Sequence, residues 1–190
     1  MAIKPILFNT KMVRAILDGR KSCTRRLVKF LSGENPRWTG YIKDELMLYN
    51  GKNEPCIRKA PYQPGDILYV RETYIQAATH TFWYKADDKS WMSKDLLWKP
   101  SIHMPKEAAR IWLKITDVRV ERLQEMWASD ASKEGLQFNK PTTADEMLQA
   151  FAELWNNTIK KSDLDRYGWN ANPWVWVIEF ELCEKPEGEN

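Results

Sequence analysis

One short turn, Gly19–Arg26, brings together several side chains capable of chemistry. The turn contains one lysine, one threonine and three arginines, namely Lys21, Thr24, Arg20, Arg25 and Arg26. A lysine that loses its proton can activate a hydroxyl as a nucleophile, and an arginine can stabilise an oxyanion or bind a phosphate. The turn therefore suits chemistry on an anionic or carbonyl-bearing ligand. The alternative is a solvent-exposed basic turn, because runs of charge usually lie on the surface.

The elements that must position this turn are predicted from the apolar pattern on either side of it. Residues Met12–Leu17 are amphipathic and predict a short helix, with Thr10 as its N-cap. Gly19 is placed to end that helix in a left-handed conformation. Residues Thr24–Val28 predict a strand, so the reactive side chains are expected where a helix gives way to a strand.

The rest of the chain predicts an α+β fold. Residues 110–122 indicate a long strand with a bulge at Thr116–Asp117, and residues 144–159 indicate the longest helix, capped by Thr143. We expect further strands at Ile6–Phe8, Ile67–Glu72, Thr81–Lys85 and Trp174–Leu182, a hairpin turn at Asn50–Gly51 before Pro55–Lys59, and helical turns at Leu123–Met126 and Ser129–Glu134. This number of strands predicts a small closed or partly closed β-barrel with flanking helices.

Length and composition fit a single globular domain. The 190 residues are 43% hydrophobic and 29% charged, which favours a folded, soluble chain over a disordered one. We place the domain at residues 1–183 and a flexible polar tail at residues 184–190. The net charge of +3 does not require a nucleic-acid partner, although the local positive charge of the turn permits one.

Residue types that form disulfides and metal sites are sparse. Cys23, Cys56 and Cys183 are widely spaced and odd in number, which predicts a reducing, cytoplasmic location rather than a disulfide framework. His80 and His103 lack the spacing of metal ligands, so we expect no metal site. The sequence shows neither a membrane-length apolar run nor a signal-peptide pattern, and we expect no membrane partner.

Two other pairs of residues have more than one interpretation. Arg71 and Glu72 fall on opposite faces of one predicted strand, so only one of them is expected to point into the barrel mouth. A buried charge needs a partner, which leaves a pocket role and a salt bridge at the strand end as alternatives. Trp174 and Trp176 share a face of the last predicted strand. We expect them to pack in the core, the alternative being stacking on a base.

The motif in the basic turn resembles that of the ASCH domain family, small β-barrel proteins of the PUA-like superfamily. The family pattern is Gly-x-Lys-x-x-Glu-x-Arg after the first helix, and here it reads Gly19-x-Lys21-x-x-Thr24-x-Arg26. Residues 64–73 and 172–180 are similar to segments of the longer ASCH proteins of phages and prophages. The resemblance covers residues 6–181 and implies a PUA-like barrel with insertions at residues 36–61 and 77–105.

Position 24 is a threonine, where many family members have glutamate. In this respect the motif resembles that of the ASCH proteins that hydrolyse acetylcytidine. In those enzymes the threonine is the proposed nucleophile, the lysine its proton acceptor and a later glutamate the proton donor. The resemblance therefore implies Thr24 as nucleophile, Lys21 as base and Glu134 as acid, with no metal or organic cofactor. Neighbouring positive charge and partial burial are expected to lower the pKa of Lys21. The candidate substrate-binding residues are Arg25, Arg26, Arg71 and Glu72.

Two classes of function remain open from the sequence. The first is an amidohydrolase that removes an acyl group from the exocyclic nitrogen of cytidine or a related modified nucleoside, in a bacterial or phage-infected cell. The second is a non-catalytic module that binds RNA, DNA or a modified base. A ribonuclease is a third, weaker option because no histidine pair is evident. A closed pocket around Lys21 and Thr24 favours a nucleoside, whereas a long basic groove favours a strand.

Overall fold

The computed structural model describes residues 1–29, 38–42, 45–50, 52–54, 60–87 and 96–188. Nine strands and four α-helices occur within these residues, and the α+β prediction is confirmed. In chain order they are β1 (Ile3–Leu7), α1 (Thr10–Leu17), β2 (Cys23–Leu27), β3 (Trp38–Ile42), β4 (Glu45–Tyr49), β5 (Ile67–Arg71), β6 (Tyr74–Ala78), β7 (Thr81–Tyr84), β8 (Trp112–Arg122), α2 (Asp130–Lys133), α3 (Ala144–Asn156), α4 (Leu164–Tyr167) and β9 (Trp174–Cys183).

Five strands form the main sheet, in the order β1-β5-β8-β9-β2. The β1–β5 pair is parallel and the other three pairs are antiparallel. The register of β8 against β9 shifts between Ile115 and Asp117, which confirms the predicted bulge. The bulge changes which alternate residues face inward, so Ile115 and Val118 are both buried. Two separate hairpins, β3–β4 and β6–β7, complete the strands.

Strand β9 is buried on both of its faces. Trp174, Trp176, Ile178 and Phe180 pack in a core with β1, β5 and β8. Val175 and Val177 pack in a second core, against Phe151 and Trp155 of α3. This alternation places one apolar layer on each side of the strand, and it confirms that the two tryptophans belong to the core.

The boundaries of the two longer helices follow from their caps. Asn9, rather than the predicted Thr10, is the N-cap of α1, because its side-chain oxygen accepts a 3.0 Å hydrogen bond from the Met12 amide. Gly19 has φ +70°, which confirms its left-handed conformation. Thr143 caps α3 as predicted, and its partner in a capping box is Glu146. The helix ends at Asn156, three residues before the predicted end.

The two edge strands of the sheet, β1 and β2, are joined by a side-chain hydrogen bond. Arg26 of β2 donates a hydrogen bond from Nη2 to the main-chain oxygen of Leu7 in β1, at 3.1 Å. The described residues contain no strand pairing between β1 and β2. Among the described residues the five strands therefore form an open sheet, and the closed form of the predicted barrel is not seen.

Some predictions fall on residues that the structure does not describe. The strand at Pro55–Lys59 and Gly51 of the predicted hairpin turn lie outside the described residues, as do parts of the insertions at 36–61 and 77–105. The assignment of one domain to residues 1–183 with a flexible tail at 184–190 stays a prediction. Within the described part of the chain, none of the helices has the length and apolar character needed to cross a membrane.

Candidate active site

A cavity of about 530 Å³ lies between the edge strands β1 and β2, with α3 on its other side. Five of the seven predicted site residues line it, namely Lys21, Thr24, Arg25, Arg26 and Glu134. Four of them are buried, namely Lys21, Thr24, Arg25 and Glu134, whereas Arg26 is half-buried. The structure thus brings the basic turn and the later glutamate, which is far away in the sequence, to one site.

Lys21 is held at the floor of the cavity by three acceptors. Its Nζ lies 2.7 Å from the Cys23 carbonyl oxygen, 2.8 Å from the Glu134 carbonyl oxygen and 2.8 Å from Glu134 Oε2. Three acceptors match the three N–H bonds of an ammonium group, so the arrangement is that of a protonated lysine paired with a carboxylate. The main chains of the two residues also form an isolated β-bridge, which joins the end of α2 to the start of β2.

Burial determines how readily Lys21 releases its proton. Desolvation lowers the pKa of Lys21, the Glu134 carboxylate opposes this, and the charge of Arg26 adds to the lowering. The net direction is downward, as expected from the sequence. A lowered pKa lets the amine become neutral at a smaller cost, which a lysine base requires.

Gly135 allows the close approach of Glu134 to Lys21. Its φ of +97° is a conformation that side-chain-bearing residues rarely adopt. A Cβ atom at this position would lie 2.8 Å from the Ala15 Cβ and 3.2 Å from the Lys21 Cβ. The backbone after Glu134 therefore packs directly against α1 and the basic turn, and only glycine fits without displacing them.

Thr24 presents a hydroxyl that is free of protein partners. The residue is buried in the cavity wall, and its hydroxyl forms no hydrogen bond with any described residue. Lys21 Nζ is bonded to other oxygens, so the lysine–threonine hydrogen bond of a nucleophile–base pair is not formed in this arrangement. The neighbouring Cys23 is no substitute nucleophile, because burial, with Glu134 next in importance, raises the pKa of its thiol to about 12.

Arg25 is engaged by carboxylates of the protein. Its Nη2 lies 2.8 Å from Glu121 Oε1 and 3.0 Å from Asp130 Oδ2, and its Nη1 lies 3.3 Å from Glu134 Oε1. Burial by itself would raise the pKa of Asp130, but hydrogen bonds from Lys133 and Arg25 outweigh it, and the net shift is downward. Arg25 thus fixes the carboxylate of Glu134 through its terminal nitrogens, whereas its buried Nε has no hydrogen-bond partner among the described residues.

Asp130 and Glu121 are the members of this network that the sequence analysis missed. Asp130 precedes Glu134 by four residues on a helical turn, and residues four apart on a helix face the same side. That spacing was the available signal. Glu121 carried no comparable signal, because its contact with Arg25 spans 96 positions and depends on the pairing of β8, β9 and β2.

Arg26 and Lys29 bring positive charge to the outer part of the cavity. Arg26 stacks on the Phe8 ring, with its guanidinium carbon 5.3 Å from the ring centroid. Burial lowers the pKa of Arg26, with Glu134 opposing, although arginine remains charged at neutral pH. Lys29 lies two residues beyond β2, lines the same cavity and is exposed.

Arg71 and Glu72 lie in a different cluster. Glu72 is 1% exposed and accepts hydrogen bonds from Arg110 Nε at 2.9 Å and Nη2 at 3.1 Å. Burial raises the pKa of Glu72, and Arg110 opposes this. Arg71 donates to the main-chain oxygen of Ile102. Neither residue is among the described residues that line the cavity.

The described residues contain no cluster of three or more histidine, cysteine, aspartate or glutamate side chains suited to a metal ion. The described residues that line the cavity include the lysine, the threonine hydroxyl, the carboxylate and the guanidinium groups given above. Groups of these types can serve as nucleophile, proton acceptor, proton donor and positive charge for a developing oxyanion.

Comparisons with known proteins give matches among solved structures. The chain is similar to an ASCH domain from Lactobacillus crispatus JV V101, at 14% identity and a TM-score of 0.48, over 95% of this chain and 79% of that one. It is also similar to the hypothetical protein PH0355, at 14% identity and a TM-score of 0.37, over 96% of this chain and 100% of that one. No protein-family model matches the sequence, and no curated protein does.

Proposed function

We propose that this chain is an amidohydrolase of the ASCH type that removes an acyl group from the exocyclic nitrogen of cytidine or a related modified nucleoside. The observation that carries the proposal is the meeting of Lys21, Thr24 and Glu134 in one cavity. A volume of about 530 Å³ lies within the range of small-molecule sites, so the cavity has room for a nucleoside.

The contact between Lys21 and Glu134 provides the route for the protons. Transfer of one proton from Lys21 Nζ to Glu134 Oε2, across 2.8 Å, converts the ion pair into a neutral amine and a carboxylic acid. Burial favours the loss of this proton from Lys21, because desolvation lowers the pKa of its ammonium group. The neutral amine then has a lone pair with which to accept the proton of Thr24.

The reaction proceeds in two balanced steps. In the first, the Thr24 oxygen bonds to the acyl carbon, Lys21 takes the hydroxyl proton, and Glu134 gives its proton to the departing nitrogen as the carbon–nitrogen bond breaks. In the second, water attacks the threonine ester, which releases the carboxylic acid and restores the hydroxyl. The positive charge that Lys21 carries after taking the proton would stabilise the oxyanion beside Thr24.

The apolar wall of the cavity suits a planar base. Phe8, Phe151 and Trp155 are buried aromatic residues that line it, and flat aromatic faces are favourable partners for nucleobases. The indole N–H of Trp155 donates to the Tyr167 carbonyl oxygen at 2.8 Å, so its polar group is already satisfied within the protein. A base can therefore pack here without leaving the indole N–H unpaired.

A second candidate is a module that binds a modified base without chemistry. It is favoured by the three hydrogen bonds that hold Lys21 Nζ to oxygens other than that of Thr24. In that case Lys21 and Glu134 form a structural ion pair, and the cavity only accommodates the base.

Incubation of the purified chain with N4-acetylcytidine, followed by chromatography of the nucleosides, separates the two candidates. The amidohydrolase produces cytidine and acetate in amounts that grow with time and enzyme, and that depend on Thr24. Binding of acetylcytidine without product formation would select the binding module.

A further inference from the structure

The positive charges of the cavity are unevenly compensated. Glu134 is the single acidic residue among the described residues that line the cavity, and its carboxylate is engaged by Lys21 and Arg25. Arg25 is neutralised further by Glu121 and Asp130. The inner half of the cavity is therefore close to electrically balanced.

The outer half is not balanced. Arg26 donates to the main-chain oxygens of Arg25 and Leu7, at 3.3 Å and 3.1 Å, and forms no ion pair with a carboxylate among the described residues. A partly desolvated guanidinium is normally paired with an anion, because its burial is otherwise costly. Two main-chain contacts also leave part of its five-donor group free for a ligand.

Lys29 adds a second cation beside the same opening. It is exposed, lines the cavity and forms no ion pair or hydrogen bond within the described part of the chain. Its side chain is therefore free to approach a ligand held in the cavity. An arginine and a lysine without an opposing carboxylate form a site for a compact anion, and phosphate suits both residues.

We infer that the outer half of the cavity is a phosphate subsite, and that the ligand is a nucleotide rather than a free nucleoside. The base lies towards Thr24, and the phosphate on its ribose is bound by Arg26 and Lys29. The inference rests on the proposed function in taking the same cavity for the nucleoside. The phosphate is either the monoester of a free nucleotide or a phosphodiester within a strand.

Calorimetric titration with cytidine and with cytidine 5′-monophosphate tests the subsite without requiring hydrolysis. We expect the monophosphate to bind at least about tenfold more tightly, since hydrogen bonds to charged groups are the stronger ones. Raising the salt concentration from about 0.05 M to about 0.5 M should weaken the binding of the monophosphate and leave the binding of cytidine almost unchanged. Equal affinities for the two ligands would overturn the inference.

The variant Lys29→Ala is suited to this test because the side chain is exposed and its loss should leave the fold intact. It should lose most of the preference for the monophosphate while retaining the affinity for cytidine. Lys140→Ala, at an exposed lysine that is not among the lining residues, is the matched control and should behave like the unmodified chain. An undiminished preference in Lys29→Ala would also overturn the inference.

A short single-stranded RNA that contains one cytidine distinguishes the two sources of phosphate. Tighter binding of the RNA than of the monophosphate, with a salt slope of roughly 0.7 per phosphate contact, assigns the subsite to a strand. Binding of the monophosphate alone assigns it to a free nucleotide. The acetylcytidine assay is a separate readout, so hydrolysis can fail while the phosphate preference holds, and the reverse.

Discussion

Lys21 holds Glu134 at two points, because its Nζ lies 2.8 Å from both the main-chain oxygen and the carboxylate Oε2 of that residue. One contact fixes the position of the chain after α2, and the other fixes the side chain. The lysine is thus part of the fold as well as of the proposed chemistry. Substitutions here change stability and turnover together, and the experiments must separate the two.

Replacing Thr24 with alanine is expected to abolish turnover and leave stability nearly unchanged. The hydroxyl has no protein hydrogen bond to lose, yet it is the proposed nucleophile. We expect a loss of at least about a thousandfold in kcat, and little further loss in the double variant Lys21→Met/Thr24→Ala, because a nucleophile and its base act as a unit. Steady-state hydrolysis of N4-acetylcytidine measures this, with Thr116→Ala at an exposed threonine as control. Near-normal turnover in Thr24→Ala would contradict the assignment.

Lys21→Met should destabilise the protein strongly, because it leaves the buried carboxylate of Glu134 without its nearest cation. Breaking a buried ion pair from one side costs about 3–5 kcal/mol. The double variant Lys21→Met/Glu134→Gln removes both charges and should recover part of that free energy of unfolding while remaining inactive. Urea unfolding of the two single variants and the double variant measures the coupling. Additive losses would show that the two side chains do not depend on each other.

Gly135→Ala should be more damaging than the same change at another glycine with positive φ. At Gly135 the new Cβ meets Ala15 and Lys21, whereas at Gly65, with φ +86°, nothing lies within 4 Å. Both substitutions incur the backbone cost of about 1–2 kcal/mol, and Gly135→Ala adds about 1–3 kcal/mol of steric strain. Thermal unfolding compares them directly. Equal losses of stability at the two positions would mean that α1 and the basic turn can move to accommodate the new Cβ atom without strain.

Asp130→Asn should destabilise the fold at neutral pH and have less effect in acid. Burial acts to raise the pKa of Asp130, but its hydrogen bonds to Lys133 and Arg25 prevail and hold the pKa below the ordinary value of an aspartate. A carboxyl group with a depressed folded-state pKa contributes stability above its ordinary pKa, and loses it as the pH falls through the folded-state value. We expect a cost of about 1–3 kcal/mol at neutral pH.

The pH test for Asp130 compares denaturant unfolding of the unmodified chain and the variant at neutral pH and in acid, where the depressed pKa of the carboxyl group is passed. The difference between them should shrink in acid as the native carboxylate becomes protonated. Asp165→Asn, at an exposed aspartate outside the network, is the control and should show little difference at either pH. A difference that stays constant with pH would exclude the carboxylate charge as its source.

Features set by local pattern could be predicted from the sequence. The alternation along Trp174–Phe180 indicated which residues share a face, and the change of parity after Ile115 indicated the bulge, because side chains alternate along any strand. The Lys21 and Thr24 pair followed from a motif of eight residues. Their position in one cavity with Glu134 agrees with that motif, although their catalytic roles remain proposals.

Features that depend on distant pairing could not be predicted. Glu72 binds Arg110, 38 positions away, and this contact directs it to a cluster apart from the cavity. The ion pairs of Arg25 could not be anticipated, because the three acids around it are 96 to 109 positions away. Asn9 and Thr10 are both good N-caps, and only the hydrogen bond to Met12 distinguishes them.

The span of chain between Lys21 and Glu134, 113 positions, has a consequence during protein synthesis. When the segment that carries Thr24 leaves the ribosome, it has neither its acid nor β9, the strand with which β2 pairs. The proposed reaction can therefore start only after the C-terminal strand at 174–183 has been made and has docked. Chains that terminate before this strand would not hydrolyse the cell's nucleosides. The measured turnover of a preparation would therefore report only those molecules that contain the strand and have folded.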